Sequence, residues 1–157
     1  MDRRLGRIQV MNIDNYNNLG IVVIAIHSTI SVLKEINLSK AMLIMPFYSH
    51  KLLTDYLARK GVEIKSIEHL IAIKTSYFSN FNDRYKDSNV QTIHAIQYLI
   101  DARILNFTDG NLVCIEPFKY DKKMGNRAMK MDKASINMAK ILSEDTSNLY
   151  LNLRVIL

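Results

Sequence analysis

Apolar residues recur along this chain at two spacings, and the switch between them marks out its elements. From Leu19 to Leu33 there is no charged residue: an apolar run from Leu19 to Ile26 is broken only by Gly20, and His27, Ser28, Thr29 and Ser31 then interrupt it. The β-branched letters favour a strand, but the length favours a helix, and Asn17 or Asn18 offers an N-cap, so a buried helix is predicted. The run is too polar for a membrane span, which needs about 20 predominantly apolar residues. Ser39 next caps a short apolar stretch, Ala41 to Met45, that Pro46 is expected to interrupt by removing a backbone donor. In Leu52, Leu53, Tyr56 and Leu57 the helical spacing returns, and Arg59, Lys60 and Gly61 supply a basic last turn with a glycine stop, so residues 50–60 are predicted helical. Beyond Gly61 the positions Ile64, Ile67, Leu70, Ile71, Tyr77, Phe78, Phe81 and Tyr85 keep that spacing for about six turns without Gly or Pro, which predicts the longest helix of the chain there.

Ser88 or Asp87 is expected to cap a further helix, with Val90, Ile93, Ile96, Leu99 and Ile100 on its inner face and Gln91, Thr92, His94, Gln97 and Asp101 outside. Two short apolar runs follow, Ile104 to Thr108 and Leu112 to Ile115, separated by Asp109-Gly110-Asn111. An Asp-Gly between such runs is a strong hairpin signal, which places strands near 104–108 and 112–116, packed on the preceding helix, with positive φ at Gly110. Helix, helix, hairpin is the order of a winged helix. After Glu116-Pro117 a Lys-rich loop closes at Gly125, and Asn126 is expected to cap a helix carrying Met129, Ile136, Ala139, Ile141 and Leu142. The last nine residues, Leu149 to Leu157, are mostly apolar and should be tied to the core or to a partner. The expected fold is mainly α (α+β): a basic arm over residues 1–11, then one globular domain over 12–157.

Charge sharpens this picture by its placement. Of the net +6, residues 1–10 hold +2 (Arg3, Arg4 and Arg7 against Asp2), and residues 119–133 hold +4 (Lys119, Lys122, Lys123, Arg127, Lys130 and Lys133 against Asp121 and Asp132). A footprint for a polyanion is therefore local, and Lys119, Lys122, Lys123, Arg127 and Lys130 are the candidate contacts to DNA phosphates; the plainer alternative is a solvated helix face with a flexible arm.

Composition and motifs exclude more than they propose. With 157 residues, 48% apolar and 23% charged, the chain can bury a core without staples, and its single Cys114 cannot form an internal disulfide. Five glycines, none arranged as a phosphate cradle, argue against nucleotide binding, and His27, His50, His69 and His94 are scattered away from metal-ligand spacing. Cys114 falls in a predicted strand, where it is a small hydrophobe, and no nucleophile elbow is present. No catalytic residue, cofactor or metal is therefore expected. The absence of an export signal at the start makes the cytoplasm the expected compartment.

At Met45-Pro46-Phe47-Tyr48-Ser49-His50-Lys51, preceded by the uncharged helix after Asn15-Tyr16-Asn17-Asn18, the chain resembles the middle component of bacterial three-component ABC systems. The likeness continues through Phe81-Asn82-Asp83-Arg84-Tyr85, the Asp109-Gly110 hairpin and the apolar ending from Leu149 to Val155. It covers nearly all of residues 12–157, and the order of its short motifs carries it. One departure is that Leu52-Leu53-Thr54-Asp55 follows His-Lys where relatives often place Thr-Arg.

The resemblance implies a small non-enzymatic subunit working with an SMC- or Rad50-like ATPase and an effector, often a nuclease, as in Lamassu-type defence against phage and plasmids. It carries over His50, Lys51, Phe81, Asn82, Arg84 and Tyr85 as contributors to fold or partner contact. Tyr150 and Leu153 of the apolar ending join them as candidate partner contacts. The alternative class is a free-standing winged-helix DNA-binding regulator, which would place Arg or Lys on the helix from Val90 to Arg103. That face offers Gln91, Thr92, His94, Gln97 and Asp101 instead.

Overall fold

The structure, a computed structural model, describes residues 19–157. The expected basic arm and the expected cap at Asn17 or Asn18 lie outside the described residues. The uncharged run is a helix, α1 (19–33), whose buried residues Val22, Ala25, Ile26, Thr29 and Ile30 repeat at helical spacing. Lys34, at φ 70°, turns the chain out of it into β1 (Glu35–Asn37). Two short helices follow: α2 (Leu38–Ala41), capped by the Asn37 side chain, and α3 (Ile44–Tyr48).

Pro46 does not interrupt the apolar run as expected. It sits in the first turn of α3, where its missing N–H has no intrahelical acceptor to lose, and the break falls earlier, at Met42-Leu43. All five residues of α3 are buried. Next comes α4 (Lys51–Leu57), the core of the helix expected over 50–60.

The single long helix expected after Gly61 is instead three pieces. The chain remains irregular to Ser66, which caps α5 (Ile67–Ile73); a 3-10 turn (Thr75–Phe78) follows, and α6 (Phe81–Asp101) begins after it. Side chains at the break compete for the backbone: Thr75 Oγ1 donates to the carbonyls of Ile71 and Ala72, and Ser79 Oγ to that of Ser76.

The helix expected to start at Ser88 is the second half of α6, and its inner face is rotated from the expected one. Phe81, Tyr85, Ser88, Thr92, Ala95, Ile96 and Leu99 point inward, while Val90 and Ile93 are 65% and 46% exposed. Burying the two large rings at 81 and 85 sets the phase, and one helix turn after another carries it to 99. Ser88, at mid-helix, donates to the Tyr85 carbonyl.

The hairpin is present as expected and slightly shorter, with β2 (Leu105–Thr108) and β3 (Asn111–Cys114) packed beside α6. Asp109 and Gly110 have φ of 54° and 81°, both positive, as a type I′ turn requires. Sequence reasoning missed β1, which pairs antiparallel with β3 in the register Ile36↔Leu112 and gives the order β1-β3-β2. Three residues are too few for an alternation pattern, and their partner lies far along the chain.

The 3-10 turn Lys122–Met124 leads into α7 (Asn126–Leu142), and α8 (Thr146–Asn152) ends the described fold. Gly125, rather than the expected Asn126, occupies the N-cap of α7. α6 packs on α3, α7 packs on α4, and most of the buried apolar residues form one contiguous cluster. No helix among the described residues is long and apolar enough to cross a membrane.

Candidate functional site

The basic segment wraps the start of α7. Lys119, Lys122 and Lys123 are exposed, and the loop around them is built locally: the Asp121 carboxylate accepts from the Lys123 N–H at 2.8 Å, and the Tyr120 hydroxyl donates to the Gly125 carbonyl at 3.1 Å. Gly125, at φ 93°, then turns the chain into α7 with Arg127 exposed in its first turn. Because α7 lies against α4, Arg127 and Lys130 face Lys51 and Asp55 across a cleft of about 610 Å³, also lined by Tyr48, Ser49, Thr54, Asn126 and Met129. Lys130 Nζ pairs with Asp55 Oδ1 at 2.6 Å. Lys51, expected as a contributor to fold or partner contact, and Arg127 and Lys130, expected as phosphate contacts, thus share one concavity. Three cations against one carboxylate leave it at +2. Lys119, Lys122 and Lys123 stand outside it.

His50, Asn82 and Arg84 are occupied within the molecule. His50 is the N-cap of α4, its Nδ1 accepting from the Leu53 N–H at 3.1 Å, and its ring lies 5.0 Å from that of Tyr77. Arg84 Nε donates to the Pro46 carbonyl and Nη2 to the Tyr77 carbonyl, both at 2.9 Å, with the guanidinium 5.4 Å from the Phe81 ring centre. One side chain on α6 therefore ties together α3 and the 3-10 turn. Asn82 Oδ1 accepts from the Ile156 N–H at 3.0 Å and so holds the end of the chain.

Partial burial, and then the nearby Arg84 charge, hold the His50 imidazole below its usual pKa. The cap needs an unprotonated Nδ1, so the neutral form stabilises the fold. That contribution is complete above the unfolded histidine value and is lost as pH falls below it through the folded value. The midpoint of thermal unfolding should therefore hold level above about pH 6.5 and drop below it, and His50→Ser, which caps without titrating, should flatten the drop.

The apolar ending is anchored and only partly covered. Leu149 on α8 and Leu153 at its C-cap, one helical turn apart, are buried at 0% and 3% exposure, and the Tyr150 hydroxyl donates to the Ser39 carbonyl at 2.6 Å. Leu153 thus packs on its own chain, and Tyr150 is half-buried beside Tyr85, their ring centres 5.9 Å apart. The exposed members are Leu151 (78%), Ile156 (68%) and Leu157 (95%), which sequence reasoning did not single out. The helical spacing of Leu149 and Leu153 held the signal for Leu151, which falls on the opposite side of the helix.

Other chemistry is sparse. Burial pushes the Cys114 thiol up, and Sγ donates to the Glu116 carbonyl at 3.1 Å. Among the described residues no group of three or more His, Cys, Asp or Glu side chains could hold a metal ion.

No curated protein and no solved structure matches the chain. Residues 18–156 match the family described as ABC-three component (ABC-3C) system Middle Component 3. The matched stretch takes in the α4–α7 cleft, the Arg84 bridge and the anchored ending alike, and the chain belongs to that family of middle components.

Proposed function

We propose that the chain is a non-enzymatic accessory subunit that binds the SMC- or Rad50-like ATPase of a Lamassu-type defence system in the cytoplasm, alongside an effector nuclease, and contacts DNA through phosphates. The observation that carries the partner reading is the apolar surface at the end of the chain: Leu151, Ile156 and Leu157 lie in the open on an ending that Tyr150, Leu153 and Asn82 hold in place. Exposed apolar side chains are what a partner covers, and an obligate interface buries on the order of 2,000 Å² or more. Lys119, Lys122, Lys123, Arg127 and Lys130 support the phosphate contact by their charge.

The second reading, a free-standing winged-helix regulator, draws on the strand order β1-β3-β2, in which the strand after the first helix pairs with the hairpin. In that arrangement α6 would read bases. Its exposed residues include Asp83, Asp87 and Asp101 against Lys86, a net −2 that repels a duplex. The accessory-subunit reading is therefore preferred.

Co-expression with the neighbouring ATPase tests it. The wild-type chain should co-elute, and Leu151→Asp with Ile156→Asp should abolish co-elution while leaving the circular dichroism unchanged, since both side chains are exposed. A wild-type chain that remains a monomer and never co-elutes overturns the reading in favour of the regulator.

A further inference from the structure

We propose that the cleft between α4 and α7 is a phosphate-binding site, in which Lys51, Arg127 and Lys130 hold a phosphoryl group. The proposed DNA contact supplies the source of that phosphate, and the proposal rests on that reading for the source alone.

Three observations converge on the cleft. The first is its assembly from distant segments. Lys51 comes from the start of α4, while Arg127 and Lys130 come from α7, and the packing of α7 on α4 brings them to one concavity of about 610 Å³. The concavity is wide enough to admit a phosphoryl group, and Lys119, Lys122 and Lys123 are exposed and outside its lining.

The second is the state of the charges. Among the described residues the cleft holds one ion pair, Lys130 to Asp55, and neither Lys51 nor Arg127 has a carboxylate within salt-bridge distance. Asp55 already holds Lys130 at 2.6 Å, so the lysine is positioned, and the two unpaired cations supply the attraction. Arg127 offers planar paired donors that match a phosphate, and Lys51 acts as a point charge.

The third is that fold stability does not account for the placement. Lys51 and Arg127 both lie in the first turn of their helices, and neither turn carries an acidic residue. The helix dipole disfavours positive charge at that end. An anion in the cleft removes the mutual repulsion of the cations, and the side-chain amide of Asn126 in the lining offers a further donor.

The test uses the full-length protein with two probes, inorganic phosphate followed by calorimetry and a 30-base-pair duplex followed by salt titration. Lys51→Ala and Arg127→Ala are each expected to weaken phosphate binding by about tenfold, as removal of one charge-assisted hydrogen bond would. Asp55→Asn, which releases Lys130, is expected to tighten it. The Lys119→Ala, Lys122→Ala, Lys123→Ala triple variant is expected to leave phosphate binding unchanged while flattening the salt dependence of duplex binding by about one slope unit for each lysine that meets a phosphate.

Displacement of phosphate by the duplex supports the cleft with the DNA backbone as its source. Phosphate binding without displacement supports the cleft with a small phosphorylated ligand as its source, and it is then the DNA reading that fails. The proposal is overturned if wild-type protein binds no phosphate, or if Lys51→Ala and Arg127→Ala leave its affinity unaltered.

Discussion

Phe81→Ala is expected to lower the free energy of unfolding by about 3–5 kcal/mol, the range for deleting a fully buried aromatic ring and leaving its cavity. Phe81 is 0% exposed, and its ring centre lies 5.0 Å from that of Phe47 and 6.1 Å from that of Phe78. Phe47 and Phe78 stand 5.9 Å apart, so the three rings close a triangle among α3, the 3-10 turn and α6, and removing one strips the other two of their packing against it. Val90→Ala, on the outer face of the same helix, should change stability by less than about 0.5 kcal/mol. Urea denaturation of both variants measures the contrast. Equal losses of stability at 81 and 90 would contradict the inward phase of α6.

Arg84→Ala should be the next largest loss, about 2–4 kcal/mol, because two carbonyls within the fold lose a charge-assisted donor at once. The guanidinium forks between Pro46 and Tyr77, and a lysine ammonium cannot reproduce the planar fork, so Arg84→Lys is expected to recover at most half of the loss. Denaturation midpoints report the stability. A second readout separates charge from packing: the Arg84 charge helps hold the His50 imidazole down, so its removal should let the His50 titration move back toward the ordinary histidine value, as read from the ring resonances by NMR. An Arg84→Ala protein with wild-type stability and an unmoved His50 would return Arg84 to the role of a free partner contact.

His50, Asn82 and Arg84 were expected to contribute to fold or to partner contact, and each is hydrogen-bonded within its own chain, while Leu153, a candidate partner contact, is buried. Leu151, Ile156 and Leu157 at the ending remain exposed, as do other large apolar side chains such as Leu52, Val90 and Ile136.

The sequence by itself determined whatever depends on neighbours within about four residues. Asp109-Gly110 placed the turn, because two consecutive positive φ angles need that pair of residue types. The uncharged run from 19 to 33 was legible as a helix, the spacing of Leu53 and Leu57 marked α4, and the clustering of basic residues over 119–133 was legible as a local excess of +4.

Tertiary structure alone decided the rest, because the deciding contacts join residues far apart in the chain. The phase of α6 followed from which rings α3 could accommodate, against a local pattern that favoured Val90 and Ile93. The break before α6 is bridged by Arg84, whose acceptor at Pro46 lies 38 residues away. Ile36 became a strand residue only by pairing with Leu112. Lys51 joined Arg127 and Lys130 in one site because α7 packs on α4, a juxtaposition of segments that helical and strand periodicity, being local, does not encode.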